Sequence, residues 1–172
     1  MAPKVILIGP PGAGKSVIGK SLAQKLKSDF ADTDNLIESE TGKSVSQIFI
    51  EDGEAAFRDI EARVVRESLE TREGVLSLGG GAILREETQQ AVRSSGAQVV
   101  FLDVSLAVAA PRIGFNRDRP LLLNNPRQQW QKLMDERRPV YEAAATLHIN
   151  VGEKTVAAVT NEIIEEIQGA TK

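Results

Sequence analysis

The chain contains no cysteine, which excludes disulfides, thiolate nucleophiles and Cys-based metal sites. Its single histidine, His148, sits inside an apolar strand pattern with no second His to complete a ligand pair, so a structural role is expected. Aromatic residues make up only 4%, with one Trp and one Tyr. Trp130 and Tyr141 read as packing residues rather than stacking platforms. Neither sign of charge dominates: 21 Lys and Arg face 24 Asp and Glu, a net charge of −3, which gives no reason to expect nucleic acid or a membrane surface as partner. No run approaches the ~20 apolar residues of a membrane span, and a buried-strand pattern begins at residue 4 without a charged start and long apolar stretch before it. Internal repeats, linkers and low-complexity stretches are missing too. One domain over residues 1–172 is expected, with enough length for a sizeable core.

What is present is concentrated in Gly9-Pro10-Pro11-Gly12-Ala13-Gly14-Lys15-Ser16. An apolar run, Val5-Ile6-Leu7-Ile8, precedes it and a helical pattern follows, as a phosphate cradle requires. Gly9, Gly12 and Gly14 allow backbone angles closed to other residues, so consecutive N–H groups can turn around an anion. The helix adds its positive N-terminal end. In this motif Lys15 reaches the β- and γ-phosphates and Ser16 offers a hydroxyl to Mg²⁺.

Periodicity organises the rest. A helix is predicted from Lys15 to Lys27, with Ile18, Leu22 and Leu26 as its stripe, then a short strand at Asp29–Asp32. Ser44-Val45-Ser46-Gln47 reads as a capping box opening a short helix that Gly53 ends. A longer helix is predicted over Glu54–Glu70, with Phe57, Ile60, Val64 and Leu69 on one face. Strands follow at Val75–Leu78, Gln98–Asp103 and Leu147–Val151, and helices at Glu86–Ser94, after Ser105, at Pro126–Arg137 and at Lys154–Gln168. Pro111 weakens the helix after Ser105, and Pro139 is expected to interrupt the one before it. Residues 114–125 lose all periodicity, and a loop of about twelve residues suits a lid. Strands alternating with helices predict a P-loop-type α/β fold: a doubly wound sheet of five parallel strands with helices on both faces, like the nucleoside monophosphate kinases, with a lid at about residues 112–125.

Ligands bind at the carboxyl ends of the strands in such sheets. Three strand ends carry suggestive residues: Gly9–Ser16, Asp32–Asp34 and Gly79-Gly80-Gly81. On an extended backbone Asp32 and Asp34 point the same way, which suits one carboxylate near Mg²⁺ and one on a substrate hydroxyl. An Asx-type turn closing the strand is the plainer alternative. The three glycines would let a backbone N–H approach a small ligand, or form only a flexible turn. Asp103, after an apolar run, is a rival magnesium aspartate, although Val104-Ser105 also make it the start of a helix cap.

Taken in order, the phosphate motif, Asp32-Thr33-Asp34, Phe57-Arg58, Gly79-Gly80-Gly81, Arg119-Pro120-Leu121-Leu122 and Arg137-Arg138-Pro139-Val140-Tyr141 resemble shikimate kinase from about residue 3 to 166. The resemblance implies transfer of the γ-phosphoryl group of ATP to the 3-hydroxyl of shikimate, with Mg²⁺ as cofactor. It places ATP on Gly12, Ala13, Gly14, Lys15, Ser16, Val17, Arg112 and Arg119, with Lys15 at the transferring group and Arg112 against adenine. Shikimate falls to a region of about residues 33–61 together with Gly79, Gly80, Gly81 and Arg137. Within it Asp34 binds the 3-hydroxyl and assists its deprotonation, and Arg58 and Arg137 bind the carboxylate. Ser16 ligates the metal and Asp32 holds it through water. Planar guanidinium groups suit a carboxylate, although Arg138 competes with Arg137 for that role. The chain departs from the family at Val17, where Thr is usual, and Gly152-Glu153-Lys154 matches the adenine-side loop poorly and receives no assignment. A cytoplasmic monomer is expected. Rival readings are a P-loop kinase acting on a nucleoside monophosphate or sugar acid, and a GTP switch. The switch calls for an Asn-Lys-x-Asp segment that the sequence lacks.

Overall fold

The computed structural model describes residues 3–113 and 125–170. Five strands, β1 (Val5–Ile8), β2 (Phe30–Asp32), β3 (Val75–Ser77), β4 (Gln98–Asp103) and β5 (Leu147–Asn150), form one sheet in the order β2-β3-β1-β4-β5. Every pairing is parallel. Near-continuous burial of β1 and of Val99–Leu102 in β4 is what two covered faces require. The helices are α1 (Lys15–Lys25), α2 (Thr33–Thr41), α3 (Val45–Asp52), α4 (Glu54–Thr71), α5 (Glu86–Ser94), α6 (Leu106–Ile113), α7 (Pro126–Ala144) and α8 (Val156–Ala170), with a 3₁₀ turn at Ala82–Leu84.

Register shows which helix covers which face. A Cβ on Gly19 of α1 would lie within 3.3 Å of both Phe30 and Leu7, so Leu7 faces α1. Leu7 pairs with Val100, and residues paired across strands share a face. Phe101 therefore faces the other way, where its ring centroid lies 5.1 Å from that of Tyr141 on α7. α1, packed against α8, and α7 thus cover opposite faces. The predicted doubly wound sheet is the observed one.

Two expectations fail. Asp34 does not alternate with Asp32 along a strand. Asp32 ends β2 and caps α2, its Oδ1 accepting from the Asp34 N–H at 2.9 Å and the Asn35 N–H at 3.3 Å. An aspartate cap satisfies orphan helix donors that an extended chain would leave to solvent. Pro139 does not interrupt α7 either. It lies on the exposed side of a helix running to Ala144, where water can satisfy the carbonyl that proline's missing N–H leaves free. The Ser44 and Gln47 capping box forms as predicted, and α3 ends at Gly53 with φ of 90°. Most of the lid predicted at about 112–125, including Arg119, lies outside the described residues; Arg112 and Ile113 are the last turn of α6.

The core divides in two. The sheet and its covering helices share the main cluster, while Ile37, Ile48, Phe57 and Val64 form a satellite under α2, α3 and α4. This satellite makes residues 33–61 a packed wall beside the carboxyl ends of β1, β2 and β3.

Candidate active site

The strand ends open into a cavity of about 850 Å³ that runs from the phosphate loop to α4 and α7. At the loop end, Gly12 has φ of 84°, and a Cβ there would lie 2.9 Å from that of Ala109, so α6 also demands glycine. Gly14 is the N-cap of α1 and supplies no side-chain cap. The first-turn N–H groups thus face the loop as an anion site. The Lys15 ammonium donates to the carbonyls of Gly9 at 2.8 Å and Pro10 at 3.0 Å. Ser16 Oγ donates to Asp32 Oδ2 at 2.6 Å, so β2 and the loop bring a hydroxyl and a carboxylate together. Arg112 donates to the Gly12 carbonyl at 3.3 Å. Val17 is 58% exposed and lines the cavity.

At the other end the three glycines each lie against a charged side chain. A Cβ on Gly79 would meet Asp34 Oδ1 at 2.8 Å and Glu61 Oε2 at 2.9 Å. One on Gly80 would meet Arg137 Nη1 at 3.2 Å, and one on Gly81 both terminal nitrogens of Arg58 at 2.7 Å. None of the three has positive φ. A side chain at any of the three would therefore displace the ends of these charged groups, while turn geometry places no demand for glycine here. The Gly79 N–H itself donates to Thr33 Oγ1 at 3.0 Å, which ties the turn to α2.

The two candidate arginines on α7 separate cleanly. Arg138 is a paired surface residue, its guanidinium forked onto both Asp103 oxygens at 2.7 and 2.9 Å. That pairing and His148, 2.8 Å from Asp103 Oδ2, give the rival metal aspartate a structural occupation. Arg137 is 5% exposed and lines the cavity, and its Nε is buried without a hydrogen-bond partner. Among the described residues no carboxylate pairs with it. Arg58 donates to Glu61 at 2.8 Å and to Glu54 at 3.4 Å, and its guanidinium rests over the Phe57 ring, 5.3 Å from the centroid.

Glu61 escaped the sequence reading. It is 3% exposed, and burial pushes its carboxyl up against the opposing pull of Arg58. The signal was available: Phe57, Glu61, Val64 and Ser68 follow one helical stripe, and a carboxylate on a buried stripe needs a reason. Also missed was the wall of Val151, Lys154, Val156 and Val159, which lines the same cavity as Arg112. Val156 and Val159 belong to the apolar face of a predicted helix and Val151 to the end of a predicted strand, so the pattern marks them as core and not as cavity wall. Among the described residues no cluster of His, Asp and Glu could hold a metal alone.

A phosphate loop on β1, a helix N-terminus left for an anion and a buried cationic pocket across the cavity define a P-loop kinase, an ATP-dependent phosphotransferase. The particular family follows from comparison with known proteins. The shikimate kinase family model matches residues 11–168. A shikimate kinase from Thermobifida fusca is 47% identical over 168 residues, covering 98% of this chain and 96% of its own. One from Rhodococcus jostii is 43% identical over 97% and 99% of the two chains. Among solved structures, a shikimate kinase from Acinetobacter baumannii in complex with shikimate superposes with a TM-score of 0.94 at 31% identity, over 99% of this chain and 94% of that one. The chain belongs to the shikimate kinase family.

Proposed function

We propose that the chain transfers the γ-phosphoryl group of ATP to the 3-hydroxyl of shikimate, giving shikimate 3-phosphate and ADP. The observation that carries this reading is Arg137: a buried guanidinium, with an orphan Nε and no carboxylate partner among the described residues, lining the same cavity as the phosphate loop. Glu61 acts on this charge only from a distance. A buried guanidinium without a direct carboxylate partner is costly, and an acidic substrate would supply one. Arg137 and Arg58 take the shikimate carboxylate, with Gly80 offering a backbone contact. Asp34, in the first turn of α2 and against Gly79, binds the hydroxyl and accepts its proton as the oxygen attacks. Lys15 leaves the Gly9 and Pro10 carbonyls for the phosphates and offsets the charge that develops on the transferring group. Arg112 lies on the nucleotide side, and Arg119, outside the described residues, is assigned to the phosphates.

Ser16 and Asp32 would hold Mg²⁺. The donors are hard oxygens, too few to cage a cation without phosphate and water, and that is how magnesium is commonly bound. When bound, the ion neutralises phosphate charge. No helix among the described residues is long and apolar enough to cross a membrane; a monomer in the cytoplasm is the proposed working form. ADP release dependent on shikimate, with gluconate and nucleoside monophosphates as controls, tests the reading. Turnover with a control acid and none with shikimate would replace it.

A further inference from the structure

α7 carries a second feature beside Arg137. Trp130, Met134, Arg137 and Tyr141 form its buried face, and the two aromatic residues each reach a loop of the cavity. The Tyr141 hydroxyl donates to the Gly80 carbonyl at 2.6 Å, and Trp130 Nε1 donates to the Pro11 carbonyl at 2.9 Å. Trp130 is 2% exposed and does not line the cavity. Its role is thus not to touch a ligand.

We propose that Trp130 is a positioning residue for the phosphate loop: its indole N–H holds the Pro11 carbonyl outward and so keeps the Gly12 N–H turned toward the nucleotide phosphates. The inference rests on reading this loop as the ATP site. The Pro11–Gly12 peptide is trans, as are all described peptides, and in a trans unit the C=O and N–H point in opposite directions. Fixing one fixes the other. The unit would otherwise be free to flip, because glycine tolerates both signs of φ. A flip would turn the Gly12 N–H away and aim a carbonyl oxygen, with its partial negative charge, at the phosphates.

The neighbouring carbonyls are held differently. Gly9 and Pro10 receive the Lys15 ammonium, with the Ala13 N–H on Pro10 as well, and Gly12 receives exposed Arg112. Lys15 and Arg112 are cations that phosphates attract. Trp130 is neutral, buried and has one donor, so its grip on the loop persists when the cations turn to the nucleotide.

Trp130 is the only tryptophan in the chain, so biosynthetic replacement by β-(3-benzothienyl)alanine exchanges this one N–H for sulfur at nearly constant shape. 4-Fluorotryptophan, which keeps the N–H, is the rescue control, and Trp130→Phe provides a second variant. Loss of one neutral hydrogen bond predicts ATP binding weaker by about three- to tenfold in calorimetry. Shikimate binding and melting temperature should hold, and the fluorinated protein should retain full ATP affinity. Unchanged ATP affinity in the folded benzothienyl protein overturns the inference. So does a parallel loss of ATP affinity, shikimate affinity and melting temperature, which would make Trp130 a packing residue only. Failure of the unmodified protein to bind ATP overturns the reading of the site as well.

Discussion

At one end of the cavity the groups proposed to hold phosphate come mostly from eight consecutive residues, Gly9–Ser16. At the other they come from α2, the turn after β3, α4 and α7, spread from Asp34 to Arg137. The phosphate end is made mostly of backbone, and its specificity is for charge and shape, which any sequence with glycines in the right places can supply. The acid end is made of side chains, held by packing partners far away in the chain. The first is therefore local and tolerant of its surroundings. The second depends on every element that places a guanidinium. That difference can be tested at both ends.

The largest effect is expected at Lys15. It donates to carbonyls of its own loop and lies outside the apolar core, so Lys15→Ala should leave far-UV circular dichroism unchanged. Turnover should fall by about two to three orders of magnitude, the usual loss when one stabiliser of transition-state charge is removed. A folded variant with near-normal turnover would remove Lys15 from the chemistry.

At the acid end, Arg58→Ala and Arg137→Ala should each weaken shikimate binding by about ten- to a hundredfold and spare ATP. Wild type should strongly prefer shikimate to its methyl ester, and each variant should lose much of that preference. Equal discrimination in all three proteins would mean that neither arginine reads the carboxylate.

A gentler test adds a single methyl group to the glycine turn. In Gly81→Ala the new methyl would lie 2.7 Å from both Arg58 terminal nitrogens. The guanidinium must shift from Glu61, and shikimate affinity should fall by about three- to tenfold, consistent with one weakened charged hydrogen bond. ATP affinity should hold. Equal losses for both ligands would show that the turn is structural and the two ends are not separable.

The smallest expected effect concerns Asp103, outside both ends. Burial raises its carboxyl, but the Arg138 fork and His148 outweigh burial and hold it below the usual carboxylate range. With the folded value depressed, the unfolded chain binds more protons across that window, so stability rises with pH there. The contribution is complete above the ordinary carboxylate value and is lost as pH falls through the lowered one. Asp103→Asn should flatten this acid limb in urea unfolding, with turnover little changed. An unaltered limb would assign it to other carboxylates.

The two ends were unequally legible before the structure. The loop could be read residue by residue, because a phosphate cradle needs only adjacent backbone angles and one helix start. The capping box at Ser44 and the stop at Gly53 were readable for the same reason. Asp34 was misplaced by reading Asp32 as one of an alternating pair rather than as a cap, and Pro139 by a local rule that exposure relaxes. Glu61 lay in plain view on an apolar stripe.

By itself the sequence determined what depends on neighbours in the chain: the phosphate loop, most elements, and the strand-helix alternation that makes a parallel sheet. The set of short motifs added the family resemblance. Only the tertiary structure decided between Arg137 and Arg138, which adjoin in sequence but point about 100° apart around a helix. One entered the cavity and the other met Asp103. It also decided what a side chain at Gly79, Gly80 or Gly81 would displace, namely the charged ends of Asp34, Glu61, Arg137 and Arg58. Backbone conformation is a property of short segments, whereas the burial and pairing of a charge depend on what the rest of the fold brings within a few ångströms.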